Sequence, residues 1–522
     1  MGETRPLYKT SEWNFDTMRR TYDAIAEVAE RDLGLDTYPN QIEIISTEQM
    51  LDAYSSIGMP LMYQHWSFGK HFARDEVLYR KGFAGLAYEI VINSNPCISY
   101  NMEDNTMTMQ ALVMAHAAFG HNHFFKNNRL FREWTDADGI LDYLQFAKGF
   151  ISNCEERHGV KAVELVLDAA HALMDQGMFR YPRPGKLSLK EEETRQRERI
   201  EEAAREYSDL YAHTIPGGGQ RFTHTPEYRD EMKVRMEHVK LPEENLLYYI
   251  EKQSPWLQPW QREIVRIVRK VAQYFYPQKQ TKVMNEGCAT FVHYHIMNAL
   301  YDKKLLTDGA MLEFMGIHSN VLMQPDFDDR QFSGINPYAL GYAMMTDIKR
   351  ICVEPDPEGE DHEWFPDIAG CGDWKGVLKD AWENYRDESF ILQYLSPRLI
   401  RDMHLFGIKD EEGVPHYEVS AIHDEQGYRK IRQVLAQRYD IGYIEPNIQV
   451  TKNDVWTIEL THHAMNKVRL AEKPMDATVE HFQTLWKPDS HVTLTSIDEN
   501  CDELAMSEIK PFGEGDVQEN VR

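Results

Sequence analysis

Cysteine is scarce in this chain, and the few cysteines are not spaced as pairs. The sequence has six cysteines among 522 residues, and no two of them form a C-x-x-C motif. In a cytoplasmic chain of this size, we expect the thiols to be reduced. The spacing therefore argues against a fold that depends on a disulfide framework.

A long apolar run and a secretory signal are also absent. No apolar run is long enough to span a bilayer. The N-terminal residues MGETRPLYKTSEWNF lack the basic and then apolar pattern of a signal peptide. We therefore expect a cytoplasmic protein with no membrane span.

Positive charge is in the minority. The chain has 57 Lys and Arg residues against 84 Asp and Glu residues, which gives a formal net charge of −27. A protein that binds nucleic acid needs a basic surface to neutralise phosphates. The composition therefore argues against nucleic acid as a partner and favours solubility.

The hydrophobic pattern predicts a mainly α-helical N-terminal region and a C-terminal α+β module. Residues 1–350 repeat apolar side chains at three- and four-residue spacing, which is typical of amphipathic helices. Residues 351–386 are acidic and rich in proline and glycine, which predicts a linker. Residues 387–522 contain short β-branched, partly alternating segments, which predict a small antiparallel sheet interrupted by helices.

The segment MQALVMAHAAFGHNHFFKNN at 109–128 places histidines in an apolar setting. His116 and His121 are five residues apart and diverge by about 140° on an ideal α-helix. A π-bulge brings residues i and i+5 together, and Gly120 makes such a distortion cheap. Because buried imidazoles need a partner, we predict that His116 and His121 bind a metal ion from a bulged helix.

A second segment, VMNEGCATFVHYHIMN at 283–298, carries Glu286 and His293. These residues share a helix face but lie about 10 Å apart along the axis, which is too far for one mononuclear site. We predict Glu286 as the third ligand, and His293 as a residue that either supports a ligand from behind or faces the substrate. Two histidines, a glutamate and an open fourth position suit catalytic zinc, and iron or manganese are alternatives.

Two other interpretations of these residues stay open. Hydrogen bonds alone can satisfy the imidazoles of a histidine-rich helical core. Glu155 and His158 form one Glu-x-x-His match, the pattern of di-iron helix bundles, but a second match in the same bundle is not evident.

Four long motifs resemble the stage V sporulation protein R (SpoVR) family. They are HWSFGKHF, INSNPCISYNMEDNTMTMQALVMAHAAFGHNHFFKNN, PWQREIVRIVRKVAQYFYPQKQTKVMNEGCATFVHY and YEVSAIHDEQGYRKIR. The resemblance implies a cytoplasmic bacterial protein linked to spore cortex formation, or to stress and starvation in bacteria that do not sporulate. It also implies a serine protein kinase and a von Willebrand factor A-like protein as partners, because the genes often lie together.

A second resemblance concerns the chemistry. The run NEGCA at 285–289 is similar to the segment that carries the third zinc ligand of gluzincin metallopeptidases. Their His-Glu-x-x-His helix corresponds here to HAAFGH at 116–121, which is one residue longer and has Ala117 in place of the catalytic glutamate. A general base must therefore come from elsewhere, and the candidates are Glu89, Glu103, Glu155 and Glu156.

These observations lead to two hypotheses from different classes. The first is a metal-dependent hydrolase of amide bonds in peptides or cell-wall precursors, in which His293 orients the substrate or stabilises oxyanion charge. The alternative is a non-enzymatic stress-response adaptor that works with the kinase and its neighbour. In that alternative, a charged helix at 187–209 and the acidic linker are docking surfaces.

Overall fold

The structure is a computed structural model, and it describes residues 5–55, 62–63, 65–66, 89–180, 241–326, 329, 332, 334–409, 418–421, 423–454, 456–465 and 468–509. The charged helix predicted at 187–209 lies outside these residues. Among the described helices, none is both long and apolar enough to cross a bilayer.

Helices make up most of the described structure. They are α1 Phe15–Glu27, α2 Thr47–Ser55, α3 Met107–Val113, α4 Asn122–Asn127, α5 Arg129–Trp134, α6 Ile140–His158, α7 Val160–Ala172, α8 Leu246–Gln253, α9 Pro259–Gln280, α10 Lys282–Asp302, α11 Asp308–Val321, α12 Pro337–Val353, α13 Glu360–Trp364, α14 Trp374–Asn384, α15 Asp387–Tyr394, α16 Pro397–Asp402, α17 Glu425–Gln437, α18 Ile441–Ile444 and α19 Glu472–Trp486. Two π-helical segments, Val28–Asp32 and Met114–His121, continue α1 and α3, and Met174–Gln176 is a 3₁₀ turn.

The strands form three small sheets. The strands are β1 Asn40–Ile45, β2 Glu89–Ile92, β3 Cys97–Met102, β4 Gly407–Lys409, β5 Glu418–Ala421, β6 Asn447–Asp454, β7 Thr457–His463, β8 His491–Ile497 and β9 Glu503–Ile509. The sheet orders are β1-β3-β2, β4-β5 and β6-β7-β8-β9. In the last sheet the central pair β7 and β8 is parallel and the outer pairs are antiparallel.

The chain divides into two compact units, each made of two stretches of sequence. One unit is Met1–Lys161 with Gln273–Ile444, and the other is Ala162–Ala272 with Glu445–Arg522. The predicted fold class, a mainly helical N-terminal region with a C-terminal α+β module, is confirmed. The four-stranded sheet of this module is mixed and not wholly antiparallel as predicted, because α19 connects β7 to β8 and the two strands run in parallel. The predicted domain limits at residues 350 and 386 stay a prediction.

Helix α10 lies at the centre of the first unit because its residues are apolar on almost every side. It packs against the π-helical segment Met114–His121 and against α11, α12 and α15. A Cβ on Gly341 of α12 would overlap the carbonyl oxygen of Val283 and lie 2.7 Å from Cα of Gly287. Glycine at these positions therefore allows the backbones of α10 and α12 to touch.

The N-terminus of α10 is capped by a side chain that is distant in the sequence. Asp387 is fully buried, and its two carboxylate oxygens accept hydrogen bonds from the backbone N–H groups of Val283 (2.8 Å) and Met284 (2.9 Å). The residue at the usual capping position, Thr281, makes no such side-chain bond. The carboxylate thus satisfies N–H groups that the first helical turn leaves without partners.

We expect Asp387→Ala to lower the free energy of unfolding by about 2–3 kcal/mol, because two buried N–H groups lose their acceptors. The measurement is urea unfolding followed by circular dichroism. Asp373→Ala is the control, since Asp373 caps α14 through the N–H of Gly376 at an exposed position. A loss no larger than that of the control would show that Asp387 does not hold α10 in place.

In the second unit, α19 packs on one face of the four-stranded sheet. Alternate residues of β7 and β8 are buried, as expected for strands with one covered face. The buried Trp486 at the end of α19 stacks on Tyr249 of α8 at 5.3 Å between ring centroids. One polar ring is buried within the sheet itself: His462 Nδ1 lies 2.8 Å from Ser496 Oγ.

The burial of His462 predicts that the second unit loses stability in acid. Burial first, and then the charges of His463 and Arg180, lower the pKa of His462 to about 4. Between pH 6.5 and pH 4 the unfolded chain therefore binds a proton that the folded chain does not. The free energy of unfolding should fall as pH falls through this window, by at most about 1.4 kcal/mol per pH unit.

We expect the substitution His462→Gln to reduce this pH dependence, because glutamine does not titrate and its amide can still bond to Ser496. The measurement is urea unfolding at several pH values between 4 and 7. His463→Gln, at the exposed neighbouring position, is the control and should keep most of the slope. An unchanged slope in His462→Gln would contradict the expectation.

Candidate metal centre

The histidine segment begins at a capped helix and widens into a π-helix. The Thr106 hydroxyl accepts a hydrogen bond from the Met109 N–H at the start of α3, and the π-helical segment covers Met114–His121. The rings of His116 and His121 lie 4.6 Å apart between centroids and meet edge to face. The bulge that the five-residue spacing predicted is therefore confirmed, and it brings the two imidazoles together.

Gly120 has a further role that the spacing alone does not reveal. A Cβ at this position would lie 2.5 Å from Cα of Ala289 on α10. The glycine therefore allows the π-helical segment to touch the backbone of α10. This close approach places the histidines beside the helix that carries Glu286.

Glu286 faces both imidazoles. Its Oε2 atom lies 3.5 Å from His121 Nε2 and 3.9 Å from His116 Nε2. Both separations are long for a hydrogen bond, and Oε2 is buried without a hydrogen-bond partner in the structure. A buried carboxylate oxygen in this situation needs another partner.

Glu89 reaches the same group of atoms from the sheet. It is the first residue of β2, where it pairs with Asn101 of β3, and its Oε1 lies 3.6 Å from His116 Nε2. Burial, and then the charge of Glu286, raise the pKa of Glu89 to about 8. Glu89, His116 and His121 offer ligand atoms that lie within 4.8 Å of one another, as in a metal site.

The other ring nitrogen of His121 is already occupied. Nδ1 lies 3.0 Å from Oδ1 of Asn285, and an amide oxygen only accepts, so Nδ1 carries the proton. When the ring carries only this proton, its lone pair is on Nε2, which faces Glu286. A hydrogen-bond acceptor such as Asn285, on the ring nitrogen that does not face the site, is typical of histidines that bind metals.

His293 lies behind His116 in the buried interior. Its Nδ1 is 2.9 Å from His116 Nδ1, and its Nε2 is 2.9 Å from Nδ1 of His318 on α11. Burial lowers the pKa of each ring, that of His318 to about 4 and those of His116 and His293 well below the usual value. Sequence reasoning missed His318, because the line of rings forms only when α11 packs beside α10.

The structure does not bring every predicted residue to this group. Glu155 lies near the end of α6, next to Cys154, and it is not among the residues that approach the two imidazoles. The roles predicted for Glu155 and His293 in catalysis stay predictions. His295 points away, because its Nδ1 binds the carbonyl of Phe291 and its Nε2 accepts a hydrogen bond from Lys349.

The chain is similar to known proteins along most of its length. Residues 12–444 match the family described as SpoVR like protein. The chain is also 51% identical over 490 residues to "Uncharacterized protein YcgB" of Escherichia coli (strain K12), and the similarity covers 93% of each of the two chains. A comparison with solved structures gives no significant match.

Proposed function

The chain belongs to the SpoVR family, as its motifs predicted, and from this premise we propose that it is a metal-dependent hydrolase of amide bonds. The ligands are Nε2 of His116, Nε2 of His121 and the carboxylate of Glu286. Zinc is the ion favoured by this set, with iron or manganese as alternatives. Peptides or cell-wall precursors are the proposed substrates, in spore cortex formation or a stress response.

The observation that carries this proposal is the spacing of the ligand atoms. Two atoms bound to zinc at about 2.1 Å and at a tetrahedral angle lie about 3.4 Å apart. The separations of 3.5 Å and 3.9 Å from Glu286 Oε2 to the two Nε2 atoms are close to this value. Glu89 Oε1 lies at a similar 3.6 Å from His116 Nε2, but of these two carboxylates only that of Glu286 is within 4.0 Å of both Nε2 atoms. Hydrogen bonds would draw the same atoms to about 2.9 Å, so a shared cation explains the spacing better.

Glu89 is the residue that we assign as general base. Its Oε1 atom lies 3.6 Å from His116 Nε2, and 16% of its side chain is exposed to solvent. It thus supplies a carboxylate beside His116, which HAAFGH itself lacks because Ala117 stands in place of the catalytic glutamate of gluzincins. A bound zinc ion would lower the pKa of a coordinated water toward about 7. Its positive charge would also favour the ionised form of Glu89, whose pKa burial raises to about 8, so that Glu89 could accept the proton of that water.

The test is a hydrolysis assay on protein purified without an affinity tag and analysed for metal. The substrates are a panel of peptides and peptidoglycan fragments, with products identified by mass spectrometry. We expect about one equivalent of metal and cleavage that stops on treatment with a chelator. Glu89→Gln should lower the cleavage rate by about 100-fold or more, because a general base typically contributes that much.

Glu156→Gln is the matched control, because Glu156 is exposed on α6 and should not affect cleavage. Cleavage that continues in metal-free protein would contradict the proposal, and so would a Glu89→Gln protein as active as the parent. Protein that contains no metal under any growth condition would favour the adaptor hypothesis, in which the kinase and the von Willebrand factor A-like protein are partners.

A further inference from the structure

Three buried imidazoles form a line that leads away from the candidate metal centre. His116, His293 and His318 come from the π-helical segment, α10 and α11, and they are joined by two N···N contacts of 2.9 Å. The three residues are 4%, 1% and 4% exposed. No carboxylate takes part in these two contacts, and each can be a hydrogen bond between imidazoles when one ring donates and the other accepts.

A hydrogen bond between two neutral imidazoles has a defined direction. Each neutral ring has one N–H donor and one nitrogen lone pair, and each contact needs one of each. Because His293 uses both of its nitrogens, donating with one obliges it to accept with the other. The line therefore has two arrangements, which differ in the direction of both hydrogen bonds.

The two arrangements have opposite consequences for the metal centre. In the first, His116 Nδ1 donates to His293, and His293 Nε2 donates to His318 Nδ1. His116 Nε2 then carries a lone pair that faces Glu89 and Glu286. In the second arrangement both hydrogen bonds are reversed, and His116 Nε2 carries a proton and cannot bind a cation.

We propose that His318 is a positioning residue for the metal ion. By accepting a hydrogen bond at Nδ1, His318 favours the arrangement in which the lone pair of His116 points into the site. This inference rests on the proposed metal site and assigns a role to a residue that does not touch the ion. Partners of this kind typically contribute 10- to 100-fold to metal affinity.

A packing role is the competing explanation. The ring of His318 contacts those of Phe314, Tyr294 and Tyr342, with centroids 4.9–5.6 Å apart. A side chain of similar size would fill this space without accepting a hydrogen bond. The test therefore compares one variant that fills the space of His318 but cannot accept a hydrogen bond with another that can accept one.

The experiment measures the Kd of zinc for the full chain by competition with a chromophoric chelator. His318→Leu fills the space but cannot accept, and we expect its Kd to rise by about 10- to 100-fold. His318→Asn places an amide oxygen near the former Nδ1, and we expect a Kd within about threefold of the parent. His295→Leu, on α10 but outside the line of rings, is the control and should leave the Kd unchanged.

A second measurement observes the tautomers directly. Long-range ¹H–¹⁵N spectra of protein labelled at histidine distinguish a protonated Nδ1 from a protonated Nε2. We expect His116 to be protonated at Nδ1 in the zinc-bound parent and in zinc-bound His318→Asn. Zinc-free His318→Leu should lose the Nδ1–H preference. Should His318→Leu not fold, His318→Ala removes the same acceptor with a smaller side chain.

The outcomes separate this inference from the proposed function. Zinc binding in His318→Leu that equals the parent would overturn the positioning role and leave the metal site intact. Equal weakening in His318→Leu and His318→Asn would indicate packing and would also overturn it. Absence of zinc binding in the parent would overturn the proposed function, and the positioning role with it.

Discussion

Protein that carries His121→Ala, purified without an affinity tag, is expected to hold less than about a tenth of an equivalent of metal, against about one equivalent in the parent. The loss should be this large because the substitution removes a ligand whose Nε2 lies 3.5 Å from Glu286 Oε2. It also leaves that buried carboxylate without a cation to pair with. Elemental analysis by mass spectrometry, with circular dichroism to confirm the fold, is the measurement.

His295→Ala is the matched control for this loss of metal. His295 is a partly buried histidine of the same unit, but its ring contacts Phe291 and Lys349 instead of the candidate ligands. We expect it to keep the metal content of the parent. Equal metal in His121→Ala and His295→Ala would show that the ion, if present, binds elsewhere.

The second large effect is expected at the crossing of α10 and α12. Gly341→Ala places a methyl group where the backbone of Val283 and Gly287 already lies, so the helices must move apart. Overpacking of this kind usually costs about 1–3 kcal/mol, and contact with backbone instead of a flexible side chain puts this case at about 3 kcal/mol or more. Urea unfolding measures the loss.

Gly316→Ala in α11 is the control for this substitution. No atom lies within 4 Å of a Cβ built on Gly316, and the residue is in a helix. The change should therefore stabilise the protein by about 0.5–1 kcal/mol, because alanine is the better helix former. A Gly341→Ala protein as stable as Gly316→Ala would contradict the tight crossing that positions Glu286.

The part of the site that depends on local spacing could be predicted from the sequence. The five-residue interval between His116 and His121 is incompatible with convergence on an ordinary α-helix, and Gly120 lies inside it. These facts predict a bulge without knowledge of the fold. Glu286 was predicted as the third ligand because its helix is largely apolar and because the run NEGCA around it is similar to a zinc-ligand segment of gluzincins. Its position beside both histidines follows from the packing of α10.

The parts that depend on distant contacts could not be predicted in the same way. Glu89 was one of four candidate bases, and it is distinguished from the others by the fold, which places its Oε1 3.6 Å from His116 Nε2. His318, Asp387 and Gly341 act across helix contacts between residues far apart in the chain. Nothing in their own neighbourhoods indicates those partners.

Composition describes only part of the segment at 351–386. Its prolines, glycines and acidic residues predict a linker, which stays a prediction, and the structure places the short helices α13 and α14 within it. Leu378 and Trp382 of α14 are buried in the core, and the ring of Trp382 meets that of His123 edge to face. A few apolar residues at helical spacing are sufficient to fold a segment whose overall composition is polar.

The most direct test of the metal centre is anomalous diffraction from crystals of the untagged protein, recorded on both sides of the absorption edge of the metal found by elemental analysis. We predict one anomalous peak about 2.0–2.3 Å from His116 Nε2, His121 Nε2 and a carboxylate oxygen of Glu286. A site without a peak, in which Glu286 instead forms direct hydrogen bonds of about 2.8 Å with protonated imidazoles, would contradict the account.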